Sequence, residues 1–229
     1  MRVEPFGVDS YVHAIKRGGR GSEIVRDEED RWRFIKTLFY LNDEYRSDNW
    51  EDDLFRQKIP LFERPSLWPD RKPLVKILVY ILMPNHFHLI LKEIKEGGIS
   101  TFMRGVCGSM TMSFNRKYKG KGSIFQGSYK GMTIETDEYM RRLAIYIMVK
   151  NSFELYPGGM EIAMQNFDKA FSWSLQYQFS SLADYASDRQ SPIIDKDVLG
   201  DIFRNNNEFK TFAKDTMFSR GITEKNYEG

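Results

Sequence analysis

A predicted β-hairpin near the middle of the chain constrains the fold more than any other segment. Residues 74–83 form an unbroken apolar and β-branched run, which is the pattern of a strand buried on both faces. Pro84 and Asn85 follow directly and predict a tight turn, because proline presets φ and asparagine tolerates turn geometry. Residues 86–92 then return as the paired strand. The centre of the fold is therefore expected to contain an antiparallel strand pair.

The returning strand carries two histidines at alternate positions, His86 and His88. Residues two apart on a strand point to the same face, so both imidazoles are expected to project from one side. The chain has only three histidines, and neutral imidazole is the commonest protein ligand of metal ions. The pattern indicates a site for one metal ion. The alternative that it leaves open is a pair of half-buried strand histidines.

The remaining elements predict the order β-α-β-β-α-β-α, which is typical of an α+β fold. A ferredoxin-like antiparallel sheet with helices on one face is the expected architecture. We expect a first domain at residues 1–158, interrupted by a proline-containing irregular insertion at 47–73, and a mainly helical C-terminal extension at 159–229. The other predicted elements are strands at 10–16 and 132–134 and helices at 27–45, 100–118, 136–151, 180–185, 195–203 and 208–217.

The composition argues against a membrane or secreted protein. No apolar run reaches the ~20 residues that a membrane-spanning helix needs, and residues 1–5 lack the apolar core of a signal peptide. A single cysteine, Cys107, excludes an internal disulfide and a cysteine-rich zinc site. These features predict a soluble cytoplasmic protein with no membrane partner.

Basic residues are unevenly distributed in a chain whose formal net charge is only +2. No acidic residue lies between Glu96 and Glu135, and a second acid-free run ends at Glu23. Such runs indicate a phosphate-binding surface, although solvated loop residues would give the same pattern. The basic residues in the two runs are Lys16, Arg17, Arg20, Arg104, Arg116, Lys117, Lys119, Lys121 and Lys130.

Four short motifs follow one another along the chain. They are Tyr-Val-His-Ala-Ile-Lys-Arg-Gly at 11–18, Met-Pro-Asn-His-Phe-His-Leu-Ile at 83–90, a basic segment at 114–118 with 124–130, and a helical segment at 137–139 with 143–147. In this order they resemble the opening strand, metal motif, basic linker and nucleophile helix of HUH-type single-tyrosine transposases. The REP-associated tyrosine transposase-like group is the most similar. The resemblance covers about residues 8–155, and it rests on the presence of all four motifs in the family's order.

The resemblance implies a role for three residues of these motifs. His86 and His88 would bind a divalent metal, Mg²⁺ or Mn²⁺, and Tyr146 would be the nucleophile. Attack by a tyrosine on a phosphate leaves a 5′-phosphotyrosine and a free 3′-OH, so a second strand can be joined without ATP. The implied enzyme is a metal-dependent endonuclease and strand transferase acting on single-stranded or hairpin DNA. Composition alone does not single out Tyr146, and Tyr129 and Tyr139 are the other candidates.

One position departs from the family pattern. Relatives typically place a third metal ligand one turn after the tyrosine, where this chain has Lys150. A protonated lysine has no lone pair, and the amide of Asn151 lies about 100° further round an ideal helix. Three arrangements are open: a distorted helix end that brings Asn151 to the metal, a water in its place, or a Lys150 that binds the phosphate instead.

Further residues are candidates for contacts with nucleic acid. They are Arg17, Arg116, Lys117 and Lys130 for phosphates, Gln126 for a base edge and Tyr129 for stacking on an unpaired base. His13 is on the first strand, which in a ferredoxin-like sheet could lie near the metal hairpin; a packed or exposed histidine with no role in the site is the favoured interpretation. The alternative to an enzyme is a domesticated nucleic-acid-binding protein that is catalytically weak or inactive, whereas a purely metal-binding regulatory domain leaves the basic runs unexplained. A monomer and a homodimer are both compatible with the sequence.

Overall fold

A four-stranded antiparallel sheet forms the centre of the molecule. The structure is a computed structural model that describes residues 6–47, 49–219 and 227. Residues 1–5, on which the signal-peptide argument rests, and most of the predicted extension beyond 219 lie outside the described residues. The strands are β1 (Tyr11–Arg17), β2 (Val75–Leu82), β3 (His86–Glu93) and β4 (Lys130–Thr133), in the spatial order β2-β3-β1-β4. Strands β2 and β3 form the predicted hairpin.

Helices cover both faces of this sheet. In chain order they are α1 (Glu28–Tyr40), α2 (Trp50–Arg56), α3 (Gly98–Tyr118), α4 (Asp137–Ile145), α5 (Asn151–Glu154), α6 (Gly159–Gln165), α7 (Phe167–Ser174), α8 (Leu182–Ala186), α9 (Asp197–Ile202) and α10 (Asn206–Phe218). A π-helical turn, Tyr146–Lys150, joins α4 to α5. Helices α1 and α3 pack against one sheet face, around Phe87 and Leu89. Helix α4, the π turn and α6 to α10 pack against the other, around Ile81 and Ile90.

Side-chain caps set the N-termini of helices α1 and α4, which pack on opposite faces of the sheet. The Asp27 carboxylate accepts a hydrogen bond of 3.0 Å from the backbone N–H of Asp30 at the start of α1. The Thr136 hydroxyl accepts one of 3.2 Å from the N–H of Tyr139 at the start of α4. Each cap satisfies a backbone donor that has no partner within its helix, and acidic residues follow both caps, as the helix dipole favours. Both helices therefore begin where the sequence predicts.

The C-terminal extension forms backbone hydrogen bonds with the outer edge of β2. The N–H of Leu82 donates to the carbonyl of Phe179 (2.9 Å), and the N–H of Asp195 donates to the carbonyl of Ile77 (3.0 Å). These bonds lie towards opposite ends of the strand. Because unpaired strand edges recruit other chains, this arrangement protects β2. The helices of the extension also share one hydrophobic cluster with α4 and the π turn.

The predicted α+β class is confirmed, with several differences in detail. Helices lie on the second sheet face as well, because the apolar residues of the extension need a surface to cover. The segment 47–73 contains helix α2 and is not wholly irregular, and helices α6 and α7 were not predicted. Helix α1 ends at Tyr40, before the predicted Tyr45, because the buried side chain of Asn42 bonds to the backbone of Val75. Within the described ranges, no helix is long and apolar enough to cross a membrane.

Candidate active site

His86 and His88 lie at the start of β3, on the sheet face that α4 and the π turn cover. Their ring centroids are 4.9 Å apart, with the planes at 78°. His88 is wholly buried and His86 nearly so. The structure thus brings both imidazoles together on one face, as the strand alternation predicts.

Burial determines the protonation of both rings. Burial, with the positive charges of Arg17 and Lys150 acting in the same direction, lowers the pKa of His86 to about 4. Burial also holds the pKa of His88 well below its ordinary value, and the nearby His13 and His86 lower it further. At neutral pH each ring is therefore uncharged and has one nitrogen with a lone pair, which is the form that binds a metal ion.

Each imidazole uses its Nδ1 atom to contact a polar neighbour. His86 Nδ1 lies 2.6 Å from Oδ1 of Asn85 in the hairpin turn. His88 Nδ1 lies 2.9 Å from Nε2 of His13 on β1, and the planes of these two rings are 18° apart, with centroids separated by 5.2 Å. His13 is fully buried, and it also contacts His88, so the structure matches the less favoured interpretation, in which the first strand brings His13 near the hairpin. Only the antiparallel register of β1 and β3 could have revealed this contact.

Tyr146 packs directly against His88. The ring centroids are 5.9 Å apart in an edge-to-face arrangement, and the Lys150 Nζ lies 5.0 Å from the Tyr146 ring centroid. The phenol ring is fully buried, and the ring of Tyr227 lies over it at 4.7 Å. The structure therefore places the predicted nucleophile beside the predicted metal ligands in a closed arrangement, from which solvent is excluded.

The helix is distorted between Tyr146 and Asn151. The N–H of Asn151 donates to the carbonyl of Tyr146, five residues earlier, and the segment between them is a π turn. A π turn holds one more residue than an α turn, so Asn151 takes about the angular place that the fourth residue after Tyr146 has in a regular helix. Of the three arrangements that the sequence leaves open, this geometry matches the distorted helix end.

Asn151 and Lys150 have different polar environments. Asn151 is fully buried, and among the described residues neither its Oδ1 nor its Nδ2 has a hydrogen-bond partner. The Nε2 of His86 is likewise buried with no such partner. Lys150 is directed to the carboxylate of Glu154, one turn further along. An imidazole nitrogen on β3 and an amide oxygen at the end of the π turn are thus both buried with no partner among the described residues.

A basic loop adjoins the histidines. Arg17 lies opposite His86 in the β1–β3 register. The N–H of Gln126 donates to the carbonyl of Arg17 (2.9 Å), so the loop that follows α3 lies against the end of β1. The side chain of Gln126 is exposed, as is that of Lys130 on β4. Three of the predicted nucleic-acid contacts, Arg17, Gln126 and Lys130, therefore lie on strands or loops that meet near the histidine pair.

Other predicted contacts lie elsewhere. The Lys117 ammonium at the end of α3 is bound by three carboxylates of the α1 start, those of Asp27 (2.7 Å), Glu29 (2.6 Å) and Asp30 (3.2 Å). Arg116 lines an open cavity of about 530 Å³ between α1, α2 and α3, on the opposite side of the sheet from Tyr146. The ion pairs of Lys117 thus join the end of α3 to the start of α1, and the three carboxylates neutralise its charge.

The two alternative tyrosines are not equally close to the histidines. The Tyr129 hydroxyl lies 3.2 Å from the hydroxyl of Ser100, on the α3 side of the sheet. Tyr139 lies on α4, where its ring centroid is 5.6 Å from that of Tyr227. Tyr146 contacts the ring of His88, so it is the best placed of the three tyrosines to act beside the histidine pair.

The described part of the chain lacks a metal-binding cluster of the usual kind. No group of three or more histidine, cysteine, aspartate or glutamate side chains is arranged there to hold a metal ion. A metal ion at this site would therefore rest on His86 and His88, with an amide oxygen or water completing its coordination. Two neutral imidazoles with an amide or water oxygen form a donor set that fits a divalent metal ion.

Comparisons with known proteins support the resemblance to transposases. The family model described as "Transposase IS200 like" matches residues 70–150, which include both site histidines and Tyr146. The matched segment makes up about a third of the chain and lies within the region whose motifs resemble single-tyrosine transposases, so it supports the resemblance predicted from those motifs. A search of curated proteins finds no match.

Two solved structures are similar to the chain. One is described as the structure of a REP-associated tyrosine transposase bound to a REP hairpin; it is 15% identical, with a TM-score of 0.46, and the alignment covers 84% of this chain and 88% of that one. The other is a bacterial tRNA(His) guanylyltransferase-like protein in complex with ATP; it is 13% identical, with a TM-score of 0.36, and the alignment covers 66% and 61%.

Proposed function

We propose that the protein is a metal-dependent single-stranded DNA endonuclease and strand transferase that acts at hairpin-flanked sites in the cytoplasm. One observation carries this proposal. A buried tyrosine, Tyr146, lies with its ring centroid 5.9 Å from that of His88, which in turn contacts His86. All three residues fall in the segment that matches the transposase family.

His86, His88 and Asn151 are proposed to hold the Mg²⁺ or Mn²⁺ ion. Support comes from the uncharged imidazoles and from the Asn151 amide, which is buried without a partner among the described residues. When bound, such an ion polarises a scissile phosphate and neutralises its developing negative charge. The residues of the chain would supply the rest of the reaction.

Tyr146 is proposed to act as the nucleophile. Its hydroxyl oxygen forms a bond to the phosphorus, and the bond from phosphorus to the 3′ oxygen of the preceding nucleotide breaks. The tyrosine proton leaves as the new bond forms, and the departing 3′ oxygen gains a proton. The 5′-phosphotyrosine keeps a phosphodiester bond, so the 3′-OH of a second strand can reverse the step. Lys150, whose ammonium group is 5.0 Å from the Tyr146 ring centroid, would stabilise the negative charge.

Arg17, Gln126 and Lys130 are proposed to contact the DNA near the site. Arg17 lies beside His86 in the sheet, and the Gln126 loop packs against the end of the same strand. Positive side chains there would bind phosphates, and an exposed amide could bond to a base edge. Single-stranded DNA suits this arrangement, because an unpaired strand can be bent into a buried site. The structure of the similar protein described with a REP hairpin prompts the choice of hairpins as substrates.

A second function, that of a catalytically weak nucleic-acid-binding protein, is favoured by one specific observation. Tyr146 has no exposed surface and is covered by Tyr227. A phosphate cannot reach the hydroxyl unless this cover moves. If it does not move, the protein would bind DNA through its basic surface without cleaving it.

A covalent-adduct assay separates these two functions. Protein is incubated with Mn²⁺ and labelled single-stranded hairpin oligonucleotides, and the products are separated on a denaturing gel. An enzyme gives a metal-dependent protein–DNA band that is absent from Tyr146→Phe. Tyr139→Phe, a change on the same helix, is the matched control and should keep the band. A band that persists in Tyr146→Phe would contradict the assignment of the nucleophile. Hairpin binding without any band would favour the binding protein.

A further inference from the structure

We propose that His13 is a positioning residue that holds His88 in the tautomer required for metal binding. This inference rests on the proposed function, because it concerns the same candidate metal site. It adds a third histidine, one that does not itself bind the metal ion. Its effect acts through the hydrogen bond between His13 Nε2 and His88 Nδ1.

The geometry of this pair is that of a buried hydrogen bond. His13 and His88 lie on the neighbouring antiparallel strands β1 and β3, and both are wholly buried. The two nitrogens are 2.9 Å apart, and the rings are nearly parallel, with an interplanar angle of 18°. A fixed ring with one nitrogen engaged can offer only its other nitrogen, Nε2, to a metal ion.

The position of one proton then decides whether His88 can be a ligand. A neutral imidazole has one N–H donor and one nitrogen with a lone pair. If His88 Nδ1 donates to His13, the lone pair of His88 lies on Nε2 and can bind a cation. If His13 donates instead, His88 must have its proton on Nε2, and this nitrogen cannot bind. Partners that fix the tautomer of a ligand histidine in this way are a general feature of metal sites.

His86 has an equivalent partner of a different kind. Its Nδ1 lies 2.6 Å from Oδ1 of Asn85, and an amide oxygen can only accept a hydrogen bond. The proton of His86 therefore lies on Nδ1, which leaves its lone pair on Nε2. Asn85 thus does for His86 what we infer that His13 does for His88. The two proposed ligands would be prepared by two separate neighbours, one from the hairpin turn and one from β1.

A purely packing role for His13 predicts a different outcome. In that case substitution would lower the stability of the fold, but the fraction that remained folded would bind metal with unchanged affinity. A glutamine and a phenylalanine would then differ only in stability. The proposal instead predicts that the two variants differ in metal affinity, because glutamine can place an accepting oxygen near the position of Nε2 and phenylalanine cannot.

The test compares His13→Gln and His13→Phe for Mn²⁺ affinity, measured by calorimetry and by electron paramagnetic resonance on protein shown to be folded by circular dichroism. The affinity of His13→Phe should fall about 10- to 100-fold, and that of His13→Gln should stay within about threefold of wild type. Wild-type affinity in a folded His13→Phe would overturn the proposal. If His13→Phe does not fold, the comparison of His13→Gln with wild type and the tautomer measurement decide.

Nitrogen NMR of the metal-free wild-type protein supplies that tautomer measurement. The chain has three histidines, so ¹⁵N-histidine labelling gives three rings to assign, and His88→Ala identifies one of them. The proposal expects the His88 proton on Nδ1; a proton on Nε2 would refute it. Failure of the proposed function is distinguishable, since wild type would then bind no Mn²⁺. If His88→Ala abolishes binding while His13→Phe does not, only the present inference fails.

Discussion

Replacement of Asn151 by leucine should stabilise the metal-free protein and weaken its binding of Mn²⁺. Both polar atoms of the Asn151 amide are buried and lack partners among the described residues. A buried polar group without a partner costs roughly 1–3 kcal/mol of folding free energy. Leucine has a similar branched shape and no polar atom, so the free energy of unfolding of Asn151→Leu should rise by about that amount.

The change is large enough to measure. For a domain of about this size, 1 kcal/mol corresponds to roughly 2–4 °C in Tm, so the metal-free Tm should rise by about 2–12 °C. Mn²⁺ affinity should fall by at least the ~10-fold that loss of an outer partner of a metal ligand costs. Calorimetric unfolding and Mn²⁺ titration of the same preparations give both quantities. The substitution therefore separates stability from binding by moving them in opposite directions.

Ser152→Ala provides the matched control. Ser152 is the next residue in the helix and is equally buried, but its hydroxyl donates a hydrogen bond of 2.6 Å to the carbonyl of Met148. Removing that bond should not raise the Tm, and Mn²⁺ affinity should stay unchanged. A lower Tm of metal-free Asn151→Leu would refute the argument from unsatisfied polar atoms. A higher Tm with unchanged Mn²⁺ affinity would leave that argument intact and remove Asn151 from the proposed ligands.

Three further substitutions test the Tyr227 ring that covers Tyr146, the proposed phosphate contact of Arg17, and the ion pairs of Lys117 that join α3 to α1. Tyr227→Ala removes the ring that lies 4.7 Å from that of Tyr146. Burial of an aromatic side chain stabilises the covered state by about 1.5–3 kcal/mol, so the rate of covalent-adduct formation should rise roughly 10- to 100-fold in this variant. An unchanged rate would show that Tyr227 does not limit access. Arg17→Ala should weaken hairpin binding and reduce the slope of log affinity against log salt by about 1, as a salt series would measure; an unchanged slope would exclude a phosphate contact. The hydrogen bond from Lys117 lowers the pKa of Asp27 to about 2, below its unfolded value of about 3.9. The contribution of this ion pair to the free energy of unfolding is therefore present above about pH 4 and is lost as the pH falls to about 2. Lys117→Met should flatten this part of the stability profile in urea unfolding between pH 5 and pH 2, and should leave hairpin affinity unchanged; a loss of affinity equal to that of Arg17→Ala would instead make Lys117 a DNA contact.

The sequence predicted the parts of the fold that depend on local patterns. The hairpin and the position of both histidines on one face follow from hydrophobic alternation and turn chemistry. The starts of α1 and α4 follow from their capping residues. Asp27 and Thr136 are examples, because each satisfies a backbone donor three residues away. These signals need no knowledge of distant parts of the chain.

The parts that the sequence did not predict depend on distant contacts or on the main chain. The contact between His13 and His88 joins strands that are far apart in sequence, and it requires their register. The π turn between Tyr146 and Asn151 has no distinctive composition, so only the backbone hydrogen bond reveals it. Helices α6 and α7 follow a Gly-Gly turn and are held largely by the apolar cluster of the second sheet face, which local propensity does not report.

The C-terminal extension makes the protection of the β2–β3 hairpin depend on a segment that is synthesised late. The outer edge of β2 is made early in translation, whereas its partners near Phe179 and Asp195 emerge much later. Until then the hairpin that bears both histidines has an open edge, which is prone to pairing with other chains. A product of interrupted translation that lacks the extension would keep every proposed site residue but not the backbone partners of β2. We therefore expect such a fragment to aggregate more readily than the chain that includes the extension.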